Sequence, residues 1–258
     1  MRRIDPVRFQ VATRGTSRSI NRQIALTLVR TRQPISRADL ARLMGVRRGA
    51  ISLLVNELIA EGLIFEGATG ETERGRKPTF LYIDSRRRSI VAVDVRVSRT
   101  FLMATDRVGR QLQGVISFPT PSSPKLLVAE LTRRIKRLLT DHPELGTCQG
   151  VGVAVPGMVD WQSGRLLHAP TLDWRDVDLK TPLAAATGLA VHIENSGKAC
   201  ALAQMWNIGD AERASGDLVF VSVSDGVGVG VVINGEILRG QHSIAGEFGH
   251  VPINIDGP

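Results

Sequence analysis

Apolar and polar positions in the first third of the chain predict successive helices. Residues 21–32 carry apolar side chains at mostly helical spacing, and Pro34 ends that helix. Ser36 is a good N-cap for a second, short helix, with Asp39 three residues later as its acidic capping partner. A third helix follows closely, with one apolar face formed by Ile51, Leu54, Val55, Leu58 and Ile59.

The second and third predicted helices are joined by a tight turn. The apolar residues of the second helix share one face and are Leu40, Leu43 and Met44. Gly45 ends this helix, and the arrangement is the plan of a helix-turn-helix unit. Residues 64–65 and 80–82 then predict two strands joined by a glycine-containing loop, which form a β-hairpin wing. Residues 17–84 therefore predict a winged helix-turn-helix domain.

From Ser89 onward the pattern changes to the alternating and continuous apolar runs typical of strands. SIVAVDV, TFLMATD and QLQGVISF predict three strands joined by short turns, which makes them antiparallel neighbours. Residues 123–142 predict an amphipathic helix, and buried strands follow in QGVGVAVPGMVD and TGLAVHIEN. A helix begins after Asn195, and residues 217–240 restart with a strand, a glycine run and a hairpin. This order predicts an α/β fold.

The charge of the chain is concentrated in its first third. Residues 1–89 hold 18 Lys and Arg against 8 Asp and Glu, a net charge of +10, whereas residues 90–258 carry −2. A basic first third on a near-neutral remainder predicts binding to a polyanion, with nucleic acid favoured over a membrane surface. Two cysteines without CxxC spacing, no apolar run of about 18 residues and no signal-peptide pattern predict a cytoplasmic protein.

The third helix is the predicted DNA-reading element. Its polar residues off the apolar stripe are Arg47, Arg48, Ser52 and Asn56. Arg and Asn make bidentate contacts to guanine and adenine edges, respectively. The wing adds Arg74, Arg76 and Lys77, and arginine is favoured in a narrow minor groove. The alternative is a three-helix protein–protein module with a solvated basic face. Residues 85–89 form a basic linker, which is either a solvated charge run or a phosphate contact.

Several motifs beyond this linker resemble one known family. GVGVAVPGMVD, HAPTLDW, VHIEN, DGVGVGVVINGEILRG and AGEFGHVPI closely resemble the ROK family of repressors and sugar kinases. The resemblance implies an actin-like, hexokinase-like (ribonuclease H-like) sugar-kinase fold. Residues 90–258 are expected to form a ROK sugar-binding domain, comprising lobe one and the start of an incomplete lobe two. The chain thus resembles a family repressor truncated at its C-terminus, and its RGRKP wing resembles the repressor branch.

Three departures from the kinase pattern predict a chain without phosphoryl transfer. The family's catalytic base is the Asp of an E-N-D stretch, and Ser196 occupies that position here. The phosphate loop D-I-G-G-T is replaced by residues 94–98, DVRVS, which lack both glycines. The second loop, G-T-G in the kinases, reads SDG at residues 224–226, and its carboxylate would repel a phosphate.

The sugar pocket is better preserved than the phosphate loops. The resemblance implies that Asn195, Glu247 and His250 hydrogen-bond sugar hydroxyls, with Gly157 in the turn that borders the pocket and Ser196 as a further partner. In the family the histidine often binds zinc with cysteines of a C-x-C-G-x-x-G-C segment. This chain lacks that segment, and we expect no zinc site and no cofactor.

These features together predict a sugar-responsive transcriptional regulator that represses carbohydrate genes. Its expected partners are a double-stranded DNA operator, a small-molecule sugar inducer and further copies of itself in a homodimer or higher homo-oligomer. Two alternatives stay open, a ROK-type sugar kinase with a DNA-binding appendage and a degenerate DNA-binding protein without a working sugar site.

Overall fold

The structure, a computed structural model, describes residues 16–69, 79–85, 88–207, 216–224 and 226–251. The chain divides into two compact units between Arg86 and Arg87, inside the segment 85–89 that the sequence predicts as a linker. Within the described ranges, no helix is both long enough and apolar enough to cross a membrane.

The described part of the first unit contains the predicted helices and hairpin. The helices are α1 (Thr16–Arg32), α2 (Arg37–Met44) and α3 (Arg48–Ala60). The strands are β1 (Ile35–Ser36), β2 (Ile64–Thr69) and β3 (Thr79–Ile83). They pair antiparallel in the order β1-β3-β2, so the short strand before α2 extends the hairpin into a sheet. Helix α1 begins five residues earlier than the sequence predicts.

Capping and packing explain the limits of α2 and α3. The Ser36 side chain accepts a hydrogen bond from the Asp39 backbone, and the Asp39 side chain accepts one from the Ser36 backbone, which confirms the predicted capping box. Gly45 ends α2 with a φ of 64°. Leu40, Ala41 and Met44 are buried, whereas Leu43, which the sequence places on the same face as Leu40 and Met44, is 39% exposed. The core of the unit joins all three helices to the sheet through Ile24, Leu28, Leu40, Met44, Ile51, Val55, Leu58, Ile64 and Leu81.

The second unit is built around a mixed five-stranded sheet. Its described strands, in chain order, are β4 (Arg88–Val95), β5 (Arg99–Thr105), β6 (Ile116–Pro119), β7 (Thr147–Val155), β8 (Met158–Asp160), β9 (Arg165–Ala169), β10 (Trp174–Val177), β11 (Val191–Asn195), β12 (Leu218–Val223), β13 (Val227–Ile233) and β14 (Glu236–Ile237). Its described helices are α4 (Pro124–Asp141), α5 (Lys180–Thr187) and α6 (Ser196–Asn207). The main sheet has the order β11-β7-β4-β5-β6, with β11, β7 and β4 parallel and β4, β5 and β6 antiparallel.

Three features of this unit differ from the sequence prediction. The third strand is shorter than QLQGVISF and begins only at Ile116. The first strand begins at Arg88, so the last two residues of the predicted linker lie in the sheet, where Ser89 pairs with Cys148. Helix α5 and the small antiparallel sheet β10-β9-β8 were not predicted.

The parallel strands bring three chain segments to one edge of the main sheet. Asp94 in β4 pairs with Ala154 in β7, and Asn195 in β11 pairs with Val155. The carboxyl ends of these strands therefore lie side by side, which is where open α/β sheets bind ligands. Helix α6 starts at this edge and packs on the second sheet, β12-β13-β14. A Cβ at Gly230 would lie 2.5 Å from the Cβ of Ala201, so glycine is required for this close approach.

Candidate functional site

Asn195 anchors the carboxyl edge of the main sheet. Its Nδ2 donates a hydrogen bond to the Gly157 carbonyl at 2.8 Å, and its Oδ1 accepts one from the Lys198 backbone at 3.0 Å. The second bond caps the N-terminus of α6, so one side chain ties the start of this helix to the turn after β7. Gly157 has a φ of 95°, and a Cβ there would lie 2.3 Å from the His168 carbonyl oxygen. The turn therefore requires glycine.

Glu194 connects this edge to the segment that follows β14. Its Oε1 accepts a hydrogen bond from the Asn195 backbone at 3.0 Å, and its Oε2 accepts one from Arg239 Nη2 at 2.5 Å. The Arg239 guanidinium carbon also lies 5.1 Å from the centre of the Trp161 ring, in the turn between β8 and β9. Arg239 and Trp161 could not be predicted from the sequence, because both are distant from Glu194 in the chain and neither lies in the same motif as Glu194.

Lys198 is a buried cation at the same edge. Its Nζ donates a hydrogen bond to the Ser243 carbonyl at 2.6 Å, and the residue is only 2% exposed. Burial lowers the pKa of Lys198, while Glu194 and Glu247 oppose this shift and Arg239 adds to it. The lysine therefore holds the first turn of α6 against the loop that carries Glu247, and these charged groups influence one another directly.

The predicted sugar-contacting residues are only partly brought together by the described contacts. Asn195 and Gly157 are hydrogen-bonded, and Glu247 acts electrostatically on Lys198, three residues from Asn195. Ser196 is the first residue of α6 and is half-buried. His250 ends a short 3-10 turn that begins at Phe248, and its side chain lies outside the described part of the structure.

The turn after β4, which by resemblance corresponds to the first phosphate loop of the kinases, contains an ion pair. Arg96 Nε donates to Asp94 Oδ2 at 2.7 Å, and the Arg96 guanidinium lies 4.9 Å from the centre of the Phe101 ring. The Arg96 carbonyl accepts a hydrogen bond from Thr120 Oγ1 at 2.8 Å, which links this turn to β6. Asp225 of the second predicted loop lies outside the described residues.

The first unit presents its predicted DNA-contacting residues along α3. Arg48, Ser52 and Asn56 are spaced four residues apart and so share one helix face, with Arg47 exposed at the N-cap. Ser52 Oγ donates to the Arg48 carbonyl at 3.0 Å. Arg74, Arg76 and Lys77 of the predicted wing lie outside the described residues.

Arg37 of α2 fixes the position of this face. Its Nη2 donates to Asn56 Oδ1 at 2.9 Å, its Nη1 to the Ser52 carbonyl at 3.2 Å, and its Nε to Glu66 at 2.8 Å. One side chain therefore connects α2, α3 and β2. Sequence reasoning missed this role, because a lone arginine at the start of a helix carries no signal of its partners.

The chain resembles known proteins in sequence and in structure. The xylose repressor of Bacillus subtilis strain 168 is 30% identical over 252 residues, which are 97% of this chain and 65% of that repressor. The chain thus spans 65% of the length of this curated relative.

Two solved structures share the fold. The crystal structure of a ROK family transcriptional regulator, a homologue of the E. coli MLC protein, superposes with a TM-score of 0.77 at 24% identity, covering 93% of this chain and 61% of that one. A ROK family glucokinase from Streptomyces griseus, in complex with glucose and AMPPNP, gives a TM-score of 0.55 at 27% identity, covering 66% and 52%.

The sheet order, the carboxyl-edge site and these similarities agree with one family. Residues 90–258, nearly all of the second unit, match the ROK family model. The chain belongs to the ROK family.

Proposed function

We propose that the chain is a sugar-responsive, DNA-binding transcriptional regulator that represses carbohydrate genes and lacks kinase activity. It acts in the cytoplasm as a homodimer or higher homo-oligomer on a double-stranded operator. In this proposal Arg47, Arg48, Ser52 and Asn56 contact DNA, together with the wing residues Arg74, Arg76 and Lys77. The sugar is held by Gly157, Asn195, Ser196, Glu247 and His250.

The observation that carries this proposal is the extent of the similarity to a repressor. The match to the xylose repressor covers 97% of the chain and so runs through both units. The match to the glucokinase structure covers 66% of the chain. A chain that joins a basic helix-turn-helix-like unit to a sugar-kinase-like unit has the two parts that a sugar-controlled repressor needs.

The chemistry of the carboxyl edge argues against a kinase. Phosphoryl transfer from ATP to a sugar requires a carboxylate to accept the hydroxyl proton and backbone amides to hold the phosphates. Ser196 has no acidic group at the position of that base. Arg96 pairs with Asp94 at 2.7 Å in the turn where the kinases have a glycine loop.

Control by the sugar is explained by linkage. A sugar that binds one conformation of the protein more tightly shifts the population towards it, and that conformation holds paired α3 helices at the wrong spacing for a two-fold operator. Sugar and operator then weaken each other's binding by the same factor.

The experiment that tests this proposal is calorimetric titration of the full chain. The probes are D-xylose, D-glucose, N-acetyl-D-glucosamine, their phosphorylated derivatives and ATP. We expect saturable heat with a sugar and none with ATP, and that sugar should release the protein from operator fragments selected from random DNA. Operator affinity unchanged by every sugar contradicts the proposed control.

The second candidate function is a sugar kinase with a DNA-binding appendage, favoured by the similarity to the glucokinase structure. Release of ADP that depends on both ATP and sugar, and is abolished by Asn195→Ala, supports this candidate. A protein that binds DNA but binds none of the sugars supports the remaining alternative, a DNA-binding protein without a working sugar site.

A further inference from the structure

Arg239 has an unused donor beside the candidate sugar site. Its Nη2 is bonded to Glu194, but its Nε is buried and has no acceptor among the described residues. A buried N–H group without an acceptor is unfavourable, and proteins retain such groups where a ligand or water supplies the missing oxygen. The group lies next to Glu194, whose neighbour Asn195 is the central residue of the site.

Trp161 provides an apolar surface at the same place. The Arg239 guanidinium covers part of the indole at 5.1 Å, and yet the tryptophan is 42% exposed. A large exposed aromatic ring beside convergent polar groups is typical of a ligand-contacting wall. A pyranose ring matches this combination, because one face carries C–H groups that stack on an aromatic ring while its rim carries hydroxyl oxygens that accept hydrogen bonds.

We propose that Trp161 and Arg239 form an outer wall of the sugar site, in which the indole stacks on the sugar ring and Arg239 Nε donates a hydrogen bond to a sugar oxygen. This inference rests on the proposed function, and it adds two specificity-determining residues to the site. The ion pair with Glu194 keeps the guanidinium at the site, and the side chains that cover Nε shift on binding so that the sugar oxygen reaches it.

The charges at this edge indicate which sugars fit. Arg239 is paired with Glu194, and the buried Lys198 is bonded to a carbonyl in the field of Glu194 and Glu247. These two cations and two carboxylates sum to zero, so among the described residues this cluster offers no surplus positive charge to compensate a phosphate dianion. The site therefore selects a neutral sugar over its phosphorylated derivative.

Tryptophan fluorescence of the full chain tests the stacking directly. The sequence contains three tryptophans, of which Trp174 is 4% exposed and Trp206, on α6, is 52% exposed. D-xylose, D-glucose and N-acetyl-D-glucosamine are titrated against the wild type, Trp161→Phe and the matched control Trp206→Phe. We expect a sugar-dependent emission change in the wild type and in Trp206→Phe that is lost in Trp161→Phe.

Calorimetry of further variants tests the affinity. Trp161→Ala should raise the Kd for the bound sugar by about tenfold. Arg239→Lys keeps the charge facing Glu194 but removes the Nε donor, and it should raise the Kd for the sugar by a similar factor. Thermal unfolding of each variant checks that the protein remains folded. The phosphorylated form of the bound sugar should bind at least about tenfold more weakly than the neutral form.

The outcomes separate this inference from the proposed function. A sugar that binds Trp161→Phe, Trp161→Ala and Arg239→Lys as it binds the wild type overturns the wall and leaves the proposed function intact. Tighter binding of the phosphorylated sugar overturns the selection for neutral ligands. Absence of binding by every sugar to the folded wild type overturns the proposed function and the wall together.

Discussion

Asn56 and Arg48 share one face of α3 but have different surroundings. Asn56 Oδ1 already accepts a hydrogen bond from Arg37 at 2.9 Å, whereas Arg48 is exposed at the first turn of the helix. In helix-turn-helix proteins the N-terminal residues of the reading helix contact base edges. Arg48 is therefore the residue at which the proposed DNA contact is tested most directly.

Replacement of Arg48 by alanine should weaken binding to the preferred operator by about 1–3 kcal/mol, because an arginine bidentate to guanine contributes that much discrimination. The loss should be smaller on unrelated DNA, where the same side chain only contacts phosphate. Fluorescence anisotropy with both DNAs measures the difference.

A matched variant separates base reading from simple loss of charge. Arg110→Ala removes the same charge from an exposed arginine in the second unit. It should leave the ratio of operator to unrelated binding unchanged. Equal losses on both DNAs with Arg48→Ala reassign this arginine to a phosphate contact.

The predicted elements differ in how well sequence pattern defines them. Helix α3 was predicted because its four buried residues, Ile51, Leu54, Val55 and Leu58, recur at helical spacing. Helix α5 was missed because Leu183 alone is buried in it and its N-cap residue provides no capping side chain, whereas β8, β9 and β10 were missed because segments of three to five residues contain too few positions to establish a period. The residues of the candidate site also differ in how well the sequence predicts them. Asn195 ends a strand with a clear apolar pattern, whereas Arg239 bonds to Glu194 across 45 residues that no pattern connects.

The capping box at α2 predicts a stability that depends on pH. Hydrogen bonds from Ser36, more than the nearby Arg42, hold the pKa of Asp39 below its usual range. A carboxyl group with a lowered folded pKa stabilises the protein above its ordinary pKa of about 3.9, and this contribution is lost as the pH falls through the folded pKa. Ser36→Ala should therefore lower the free energy of unfolding by about 1 kcal/mol near neutral pH and by less in acid, as measured by urea unfolding.

A second serine cap serves as the control. Ser123 caps α4 by accepting a hydrogen bond from the Leu126 backbone at 3.3 Å, with no carboxyl group at the position that Asp39 occupies in α2. Ser123→Ala should lower the free energy of unfolding by a similar amount, and this loss should be the same over the whole pH range. A pH-independent cost at Ser36 contradicts the assignment of the effect to Asp39.

The whole molecule combines a strongly basic part with a nearly neutral one. The first 89 residues carry a net charge of +10, and the remaining residues carry −2. Some of the basic side chains are already paired within the first unit, where Arg18 contacts Glu57 and Arg22 contacts Glu61. At the candidate sugar site, by contrast, Arg239 is matched by Glu194. The two proposed ligands should therefore respond differently to salt.

Operator affinity should fall steeply as salt increases, because each phosphate contact releases condensed counterions. With about 6–10 such contacts, the affinity falls by about 10³–10⁵ between roughly 50 and 200 mM salt. The affinity for a neutral sugar should change by less than about twofold over the same range, because screening acts weakly on paired and partly buried charges. Parallel anisotropy and calorimetry titrations of one preparation measure both. A weak salt dependence of operator binding contradicts a DNA interface built from the basic first unit. An equally steep loss of sugar affinity shows that the bound sugar is held by unpaired charge rather than by the neutral site described above.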